Sequence, residues 1–387
     1  MQKSPLAIIL STVFIALIGF GIVIPLMPVY AERFGAGGFQ VGMLVMTYSL
    51  MQFLLAPIAG RISDRIGRRP VLIFALFLTS ASYVIFGLAD ELWLLYASRI
   101  LAGIGGADIT VAQAYIADVT PPEKRARGMG LFGAAFGVGF VIGPSLTALT
   151  FEMHEGMPSF IAAGLAAVTA IWALFMLPEP KRHTDYQPRR IKPGEWLTRV
   201  LGVLMSFQFI TVFSQALLQS MLVLFTVHTL GWNEKNNGLF LAMIGGISAI
   251  IQGGLIGRLS ERFGERNLVR IGLFLMALGL FLFSRVGNVA YLYAGGVVNA
   301  FGFALTLPSL SSLASQEAPD GHQGQVLGSF QSMGSLARMI GPLAGGALYD
   351  LISPTAPFGV GSMIAVGAAI SSVIFLRASY KKPGAVK

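Results

Sequence analysis

The sequence predicts an all-α membrane protein of twelve transmembrane helices, arranged as two pseudo-symmetric six-helix bundles. Three observations carry this reading. Of the 387 residues 55% are hydrophobic and only 12% charged, with a mean hydropathy of +0.72, whereas an ordinary soluble domain carries roughly a quarter charged residues. Apolar stretches of about 20 residues recur along the whole chain, each long enough to cross a hydrocarbon core about 30 Å thick as a helix. The chain also repeats itself: GRISDRIGRR at 60–69 returns as GRLSERFGER at 257–266, GP at 143–144 returns at 341–342, and TPPEKRARGMG at 120–130 aligns with APDGHQGQVLG at 318–328.

Taken in order, the apolar stretches place spans at about 5–30, 40–60, 70–89, 92–117, 126–150, 157–178, 197–229, 236–257, 267–286, 289–313, 326–349 and 356–377. The first is too long for the apolar core of a signal peptide and lacks a small-residue cleavage site before Glu32 and Arg33, so it is expected to stay as a helix. Between the sixth and seventh stretches the chain turns polar, basic and proline-containing (EPKRHTDYQPRRIKPGEWLTR), as a linker does. The division expected is a bundle over 1–178, a linker over 179–196 and a second bundle over 197–387. Two six-helix bundles around one path is an architecture for alternating access.

Composition excludes several chemistries. There is no cysteine, hence no disulfide or thiol chemistry, and His154, His183, His228 and His322 lack metal-ligand spacing. No phosphate loop, HExxH or nucleophile motif is present, so no catalytic residue, cofactor or metal is expected, and neither enzyme action nor ATP-driven transport. The net charge of +9 is not a nucleic-acid signature, because the basic residues gather in alternate loops: Arg61, Arg65, Arg68 and Arg69; Lys124, Arg125 and Arg127; the linker; Arg258, Arg262, Arg266 and Arg270; and the C-terminal tail. By the positive-inside rule those loops and both termini face the cytoplasm of a cell whose cytoplasmic (inner) membrane holds the chain.

Several motifs resemble those of one family. GRISDRIGRRP resembles the signature between helices 2 and 3 of the major facilitator superfamily (MFS), LYASRILAGIGGA (95–107) its helix 4 motif, and GVGFVIGP (137–144) the helix 5 motif of its drug/proton antiporters. YSLMQFLLAPIAGRISDRIGRRPVL, AYIADVTPPEKRARGMG and GQVLGSFQSMGSLARMIGP are similar to stretches of the tetracycline exporters and their multidrug relatives. The resemblance implies the MFS fold and a proton-coupled exporter of small amphipathic compounds, with a role in antibiotic resistance. Where tetracycline exporters carry membrane aspartates in spans 1, 3 and 9, this chain has Ala16, Ser82 and Met276, which argues against metal-bound tetracycline as its substrate.

The charged loop has two readings. It sets topology, and by the resemblance Gly60, Asp64, Arg65, Gly67, Arg68 and Arg69 form a cytoplasmic gate in which charge-assisted contacts bias a two-state equilibrium. The copy in the second half is degenerate, with Glu261 for Asp64 and Glu265 in place of a basic residue. In the fifth span, Gly133 and Gly137, then Gly139 and Gly143, recur at four-residue spacing, which lets helix backbones approach closely, and Pro144 then perturbs the helix. With Gly341 and Pro342 these suggest surfaces where the halves rock.

Arg99, Asp108 and Arg338 are the charges well inside predicted spans. An ionisable group at that depth costs at least about 2.5–3.5 kcal/mol and needs a partner or a task. The resemblance matches Arg99 to a proton-coupling arginine, whereas its repeat counterpart is Val297. Asp108 is expected to carry coupling with it, because burial penalises the charged carboxylate and makes it exchange protons; the alternative is a salt-bridged structural carboxylate. On an unbroken helix Asp108 lies about half a turn from Arg99, and Gln113 returns to the Arg99 side. Arg338 pairs with Asp108, holds a carbonyl, or meets an anionic substrate group. Gln113, Gln208, Gln215, Gln219, Asn299 and Arg338, with Phe207, Phe209, Phe213, Phe225, Phe301 and Phe303 near them, form the expected substrate cavity.

The partners expected are therefore a small amphipathic substrate, protons and the lipid bilayer, with the protein working as a monomer. A dedicated exporter of an endogenous metabolite or lipid-like molecule, a proton symporter and a non-transporting membrane sensor are the alternatives.

Overall fold

The computed structural model describes residues 5–120, 125–151, 153–180, 198–285, 289–318 and 323–376, and these are helical nearly throughout. The helices are α1 (Pro5–Arg33), α2 (Gly38–Ile66), α3 (Arg68–Gly87), α4 (Leu92–Gly105), α5 (Ala107–Val119), α6 (Arg125–Thr150) and α7 (Met157–Met176) in the first half. The second half has α8 (Arg199–Leu230), α9 (Glu234–Ile250), α10 (Ile256–Phe263), α11 (Glu265–Ser284), α12 (Val289–Gln316), α13 (Gln323–Leu351) and α14 (Ala356–Phe375). Most of the expected linker, residues 181–196, lies outside the described residues, as does 197.

Two predicted spans are not single regular helices. The fourth is α4 and α5, separated at Gly106, and the eighth is α9 and α10 joined by a π-helical turn, Ile251–Leu255, that carries Gly253 and Gly254. Among the described residues ten rods are long and apolar enough to cross a membrane. The remaining two are α6 and α13, rich in glycine and, for α13, in glutamine and serine. Both pack on two neighbours each, α6 on α1 and α9, α13 on α2 and α8. Of these, α6 still shows an apolar stretch over Gly137–Thr150, and α13, with protein on several sides, need not be apolar all round.

The internal repeat is visible in the backbone. The four described residues with positive φ are glycines, and they fall into two pairs one repeat apart: Gly35 (φ 74°) with Gly231 (64°), and Gly67 (116°) with Gly264 (75°). Each corner turns the chain through a conformation that glycine alone adopts without strain. The first pair closes one end of the molecule and the second the other.

The two ends are packed differently. At the Gly35 and Gly231 end a single apolar cluster runs through both halves, from Leu26, Leu44 and Phe86 to Met221, Phe225, Phe283 and Phe358. At the Gly67 and Gly264 end each half has its own, one around Leu72, Val111, Tyr115 and Ile116 and one around Leu201, Leu273, Leu310 and Phe330. The halves are joined at the first end and part toward the second, where a Cβ on Gly60, Gly254 or Gly257 would meet nothing within 4 Å.

Backbone contact makes the junction. A Cβ on Gly42 would sit 2.2 Å from the Pro342 carbonyl oxygen, one on Gly346 2.2 Å from that of Gly38, and one on Gly238 2.6 Å from that of Pro144. Between helices in lipid, where apolar burial supplies little drive, such close approach provides the dispersion contact. Polar contacts finish the seam: the Asp350 carboxylate accepts from the backbone N–H groups of Gly38 (2.9 Å) and Phe39 (2.7 Å). His228, 2.9 Å from the Tyr349 hydroxyl, bonds Glu32 of the other half.

Gly42→Val is expected to lower the apparent unfolding temperature of the purified protein by several degrees, since overpacking costs about 1–3 kcal/mol. Gly164→Val, at a glycine with nothing within 4 Å, should leave it in place; equal effects of the two would refute the close-contact account.

Candidate functional site

Where α4 meets α5, the sequence GIGGAD places two glycines beside an aspartate. The rod breaks there because neighbours crowd it. A Cβ on Gly106 would lie 2.9 Å from the Tyr48 hydroxyl and 3.1 Å from Gln52 Nε2, and one on Gly105 would lie 2.4 Å from Thr79 Oγ1. Gln52 on α2 donates to the Gly106 carbonyl at 3.0 Å, and its amide is 3.4 Å from the Tyr48 hydroxyl. The α2 side chains thus hold the break by its freed backbone.

The break borders a narrow cavity in the first half, of about 40 Å³. Arg99 and Asp108 both line it, with Phe20, Tyr48, Thr79 and Tyr83. An ideal helix sets the two charges half a turn apart; the interruption at Gly106 lets them share one space. Gln113, expected on the Arg99 side, is half-buried and does not line the cavity.

Arg99 is 4% exposed, its guanidinium 5.0 Å from the centre of the Phe86 ring, and its Nη2 is buried without a hydrogen-bond partner. Asp108 is 9% exposed. Among the described residues no Lys or Arg nitrogen comes within ion-pair distance of its carboxylate, Arg338 included. What links the charges is Tyr48, whose phenol is within electrostatic reach of Asp108, Tyr83, Arg99 and Arg338. The last of these is on α13, across the cleft, so one hydroxyl faces the charged groups of both halves.

The remaining candidate cavity residues divide. Gln208, Gln215 and Asn299 are buried, and each keeps one side-chain polar atom without a partner. Gln219 and Arg338 are exposed. Of the phenylalanines, Phe207 and Phe225 are core residues, Phe209 and Phe213 stack at 5.6 Å, and Phe301 is exposed. At the positions of the tetracycline-exporter aspartates, Ala16 lines the cavity, Ser82 is buried with its hydroxyl on the Thr79 carbonyl, and Met276 packs against Gly302.

The loop motif is built around one arginine. Arg68 uses three nitrogens on three partners: Nη2 on Asp64 (2.6 Å), Nε on Asp118 at the end of α5 (3.0 Å) and Nη1 on Ser63 (2.7 Å). Arg69 donates to the Leu174 carbonyl of α7. Glu179 accepts from the backbone N–H groups of Arg68 (2.6 Å) and Arg69 (3.0 Å), a carboxylate at the positive end of α3. It lies so close to Gly67 that a Cβ there would be 2.8 Å from its Oε1. The described partners of Asp64, Arg68 and Arg69 belong to the first half, save Glu179 at the start of the expected linker.

The helix 5 motif faces two ways. Gly139 and Gly143 meet Leu17 and Gly21 of α1, within the same half, whereas Gly137 meets Ala249 and Pro144 meets Gly238, both on α9. The side-chain surroundings of Gly133 lie outside the described residues. Gly341 packs on α8 of its own half, and Pro342 meets Gly42 of the other.

This arrangement of two repeated helical halves matches a known family. The sequence fits the model of the Major Facilitator Superfamily over residues 9–256 and again over 204–387. The chain belongs to the Major Facilitator Superfamily. Within it, the chain is 34% identical over 374 residues to tetracycline resistance protein, class C, of Escherichia coli, with 92% of each chain covered. It is 31% identical over 356 residues to multidrug resistance protein 1 of Bacillus subtilis (strain 168), with 89% of this chain and 90% of that one covered. The crystal structure of the human organic anion transporter MFSD10 (TETRAN) shares the fold, with a TM-score of 0.72 at 24% identity over 96% of this chain and 99% of that one. The protein is accordingly a multi-pass membrane transporter of this superfamily.

Four residues at the site escape a reading of the sequence: Tyr48 and Tyr83, ordinary tyrosines within apolar spans, and the acid pair Asp118 and Glu179. A signal for Asp118 existed, since an arginine fork so close to the bilayer needs carboxylates; nothing local marks Glu179.

Arg68→Lys keeps the charge and loses the three-way fork. It is expected to lower the apparent unfolding temperature almost as far as Arg68→Ala, measured on purified protein; a lysine variant as stable as wild type would mean that charge alone suffices.

Proposed function

We propose that the chain is a proton-coupled exporter of small amphipathic compounds across the cytoplasmic membrane, working by alternating access as a monomer. The observation that carries the reading is Asp108, a carboxylate 9% exposed and without an ion-pair partner among the described residues, sharing a cavity with Arg99 and Tyr48. Exchange of a proton there changes the charge of a buried space, and such a charge must be answered by rearrangement or by a ligand. The relatives named for tetracycline and multidrug resistance support export as the direction.

In this reading both termini and the Arg68 loop face the cytoplasm, as does the open end of the cleft. Substrate enters from that side between the bundles 1–178 and 197–387, which 179–196 connects. Gln113, Gln208, Gln215, Gln219, Asn299 and Arg338 serve as its polar contacts. The gate residues Gly60, Asp64, Arg65, Gly67, Arg68 and Arg69 approach the second half when the cleft closes on that side, while the seam at Asp350, Glu32 and His228 parts. Of the helix 5 residues, Gly137 and Pro144, which meet α9, carry the rocking surface, and Gly139 and Gly143 hold α6 to α1 within the moving half. Arg99 and Asp108 carry coupling, with Tyr48 between them and Arg338.

The test uses inside-out membrane vesicles with an imposed inside-acid gradient, a pH-sensitive dye, and tetracycline, ethidium and dansyl-glycine as trial compounds. A transported compound should release protons from wild-type vesicles. Asp108→Asn should reduce that release to the level of vesicles without the protein, and Tyr48→Phe should weaken it while leaving the amount of folded protein unchanged. Release from Asp108→Asn vesicles equal to wild type would remove Asp108 from coupling.

A further inference from the structure

Arg338 carries a charge for which the described residues supply no counter-charge within ion-pair distance. A guanidinium within a span is costly unless it turns to protein or water and finds a partner. Here the side chain is exposed, and its described hydrogen bond is to Ser335 Oγ (3.1 Å), one turn away on the same helix. Ser335 supplies an oxygen but no charge. Asp108, one of the three partners open to it from the sequence, is beyond ion-pair distance. Since Arg338 lies within electrostatic reach of Tyr48 on α2, it faces the cleft rather than lipid.

A second buried group converges on the same place. Gln208 of α8 is 1% exposed and its Oε1 has no partner. Its Nε2 lies 3.2 Å, and Arg338 Nη1 3.5 Å, from the point that a Cβ on Gly334 would occupy. The amide N–H₂ of Gln208 and the Arg338 guanidinium thus stand together beside Gly334, on the same stretch of α13. Two neighbouring N–H donors and one positive charge suit a planar group with two acceptor oxygens and one negative charge. A phosphate dianion would leave charge uncompensated.

We propose that Arg338, with Gln208 beside it, is the docking point for a carboxylate on the transported amphiphile. The proposal rests on the exporter reading for the word transported, and the ligand chemistry stands on the residues themselves. Through Tyr48 the bound anion acts on the same hydroxyl that faces Asp108, so substrate charge and proton site meet in one group.

The experiment measures binding of dansyl-glycine and of its neutral amide, dansyl-glycinamide, to the purified full-length protein in detergent, by dansyl fluorescence. Wild type should prefer the carboxylate by about tenfold or more, the worth of a charge-assisted bidentate contact. Arg338→Gln should bring the two ligands to within about twofold of each other, with Arg338→Lys in between. Gln208→Leu, which removes the amide donor and leaves the charge, should lower the preference in part. Wild type that does not prefer the carboxylate, or Arg338→Gln that still does, overturns the proposal. So does competition by phosphatidylglycerol that Arg338→Gln abolishes, which would give the site to a lipid headgroup. Binding is read without a proton gradient, so failure of the vesicle assay would sink the exporter reading and leave this result standing.

Discussion

A charge placed in a hydrocarbon span must turn away from lipid, and that constraint organises the molecule. Arg99, Asp108 and Arg338 lie on three different helical segments, and each fixes which side of its helix faces the interior. Because none of them forms an ion pair with another, the interior has to remain polar enough to hold them separately. Tyr48, Gln52 and Thr79 provide that polarity in the first half, and Gln208, Gln215 and Asn299 in the second. The apolar faces left over then meet the bilayer, which explains the many exposed large side chains such as Phe74, Phe175 and Phe274.

Helices that enclose a polar interior cannot also be joined by a broad apolar seam, and the structure divides the two tasks along its length. One end has a shared core and backbone-to-backbone contact at Gly42, Gly238 and Gly346; the other has two separate cores. Separate cores allow the halves to move as units, because parting them there breaks no packing within either. Small residues at the joined end make contacts that are shallow and numerous, so they can be lost and remade without unpacking a side chain from a deep socket.

The fold was legible because its signals are long and repeated: apolar length, basic loops, and a motif that occurs twice. Asp108 and Arg99 could be picked out for the same physical reason, since a charge in a span is conspicuous. The shared cavity was not, because periodicity presumes an unbroken helix, and the break at Gly106 depends on Tyr48 and Gln52 from another helix. The glycines of α6 divide between two neighbours: Gly139 and Gly143 serve α1 of the same half, and Gly137 serves α9. Spacing reports that glycines share a stripe and is silent on which neighbour needs it. Tyr48 and Tyr83 carry no charge and fit any apolar span, so only their three-dimensional company marks them.

The corner at Gly67 has a mechanical consequence. Glu179, which holds the start of α3 by two backbone N–H groups, stands just before the chain crosses toward α8. A pull on the chain from the second half therefore reaches the carboxylate that caps α3 before it reaches Leu177 of the buried core. The covalent tether and the arginine cluster are coupled in series. Tension between the bundles would be felt first by the residues whose charges hold that end of the molecule together, giving the crossing segment a say in how readily the corner yields.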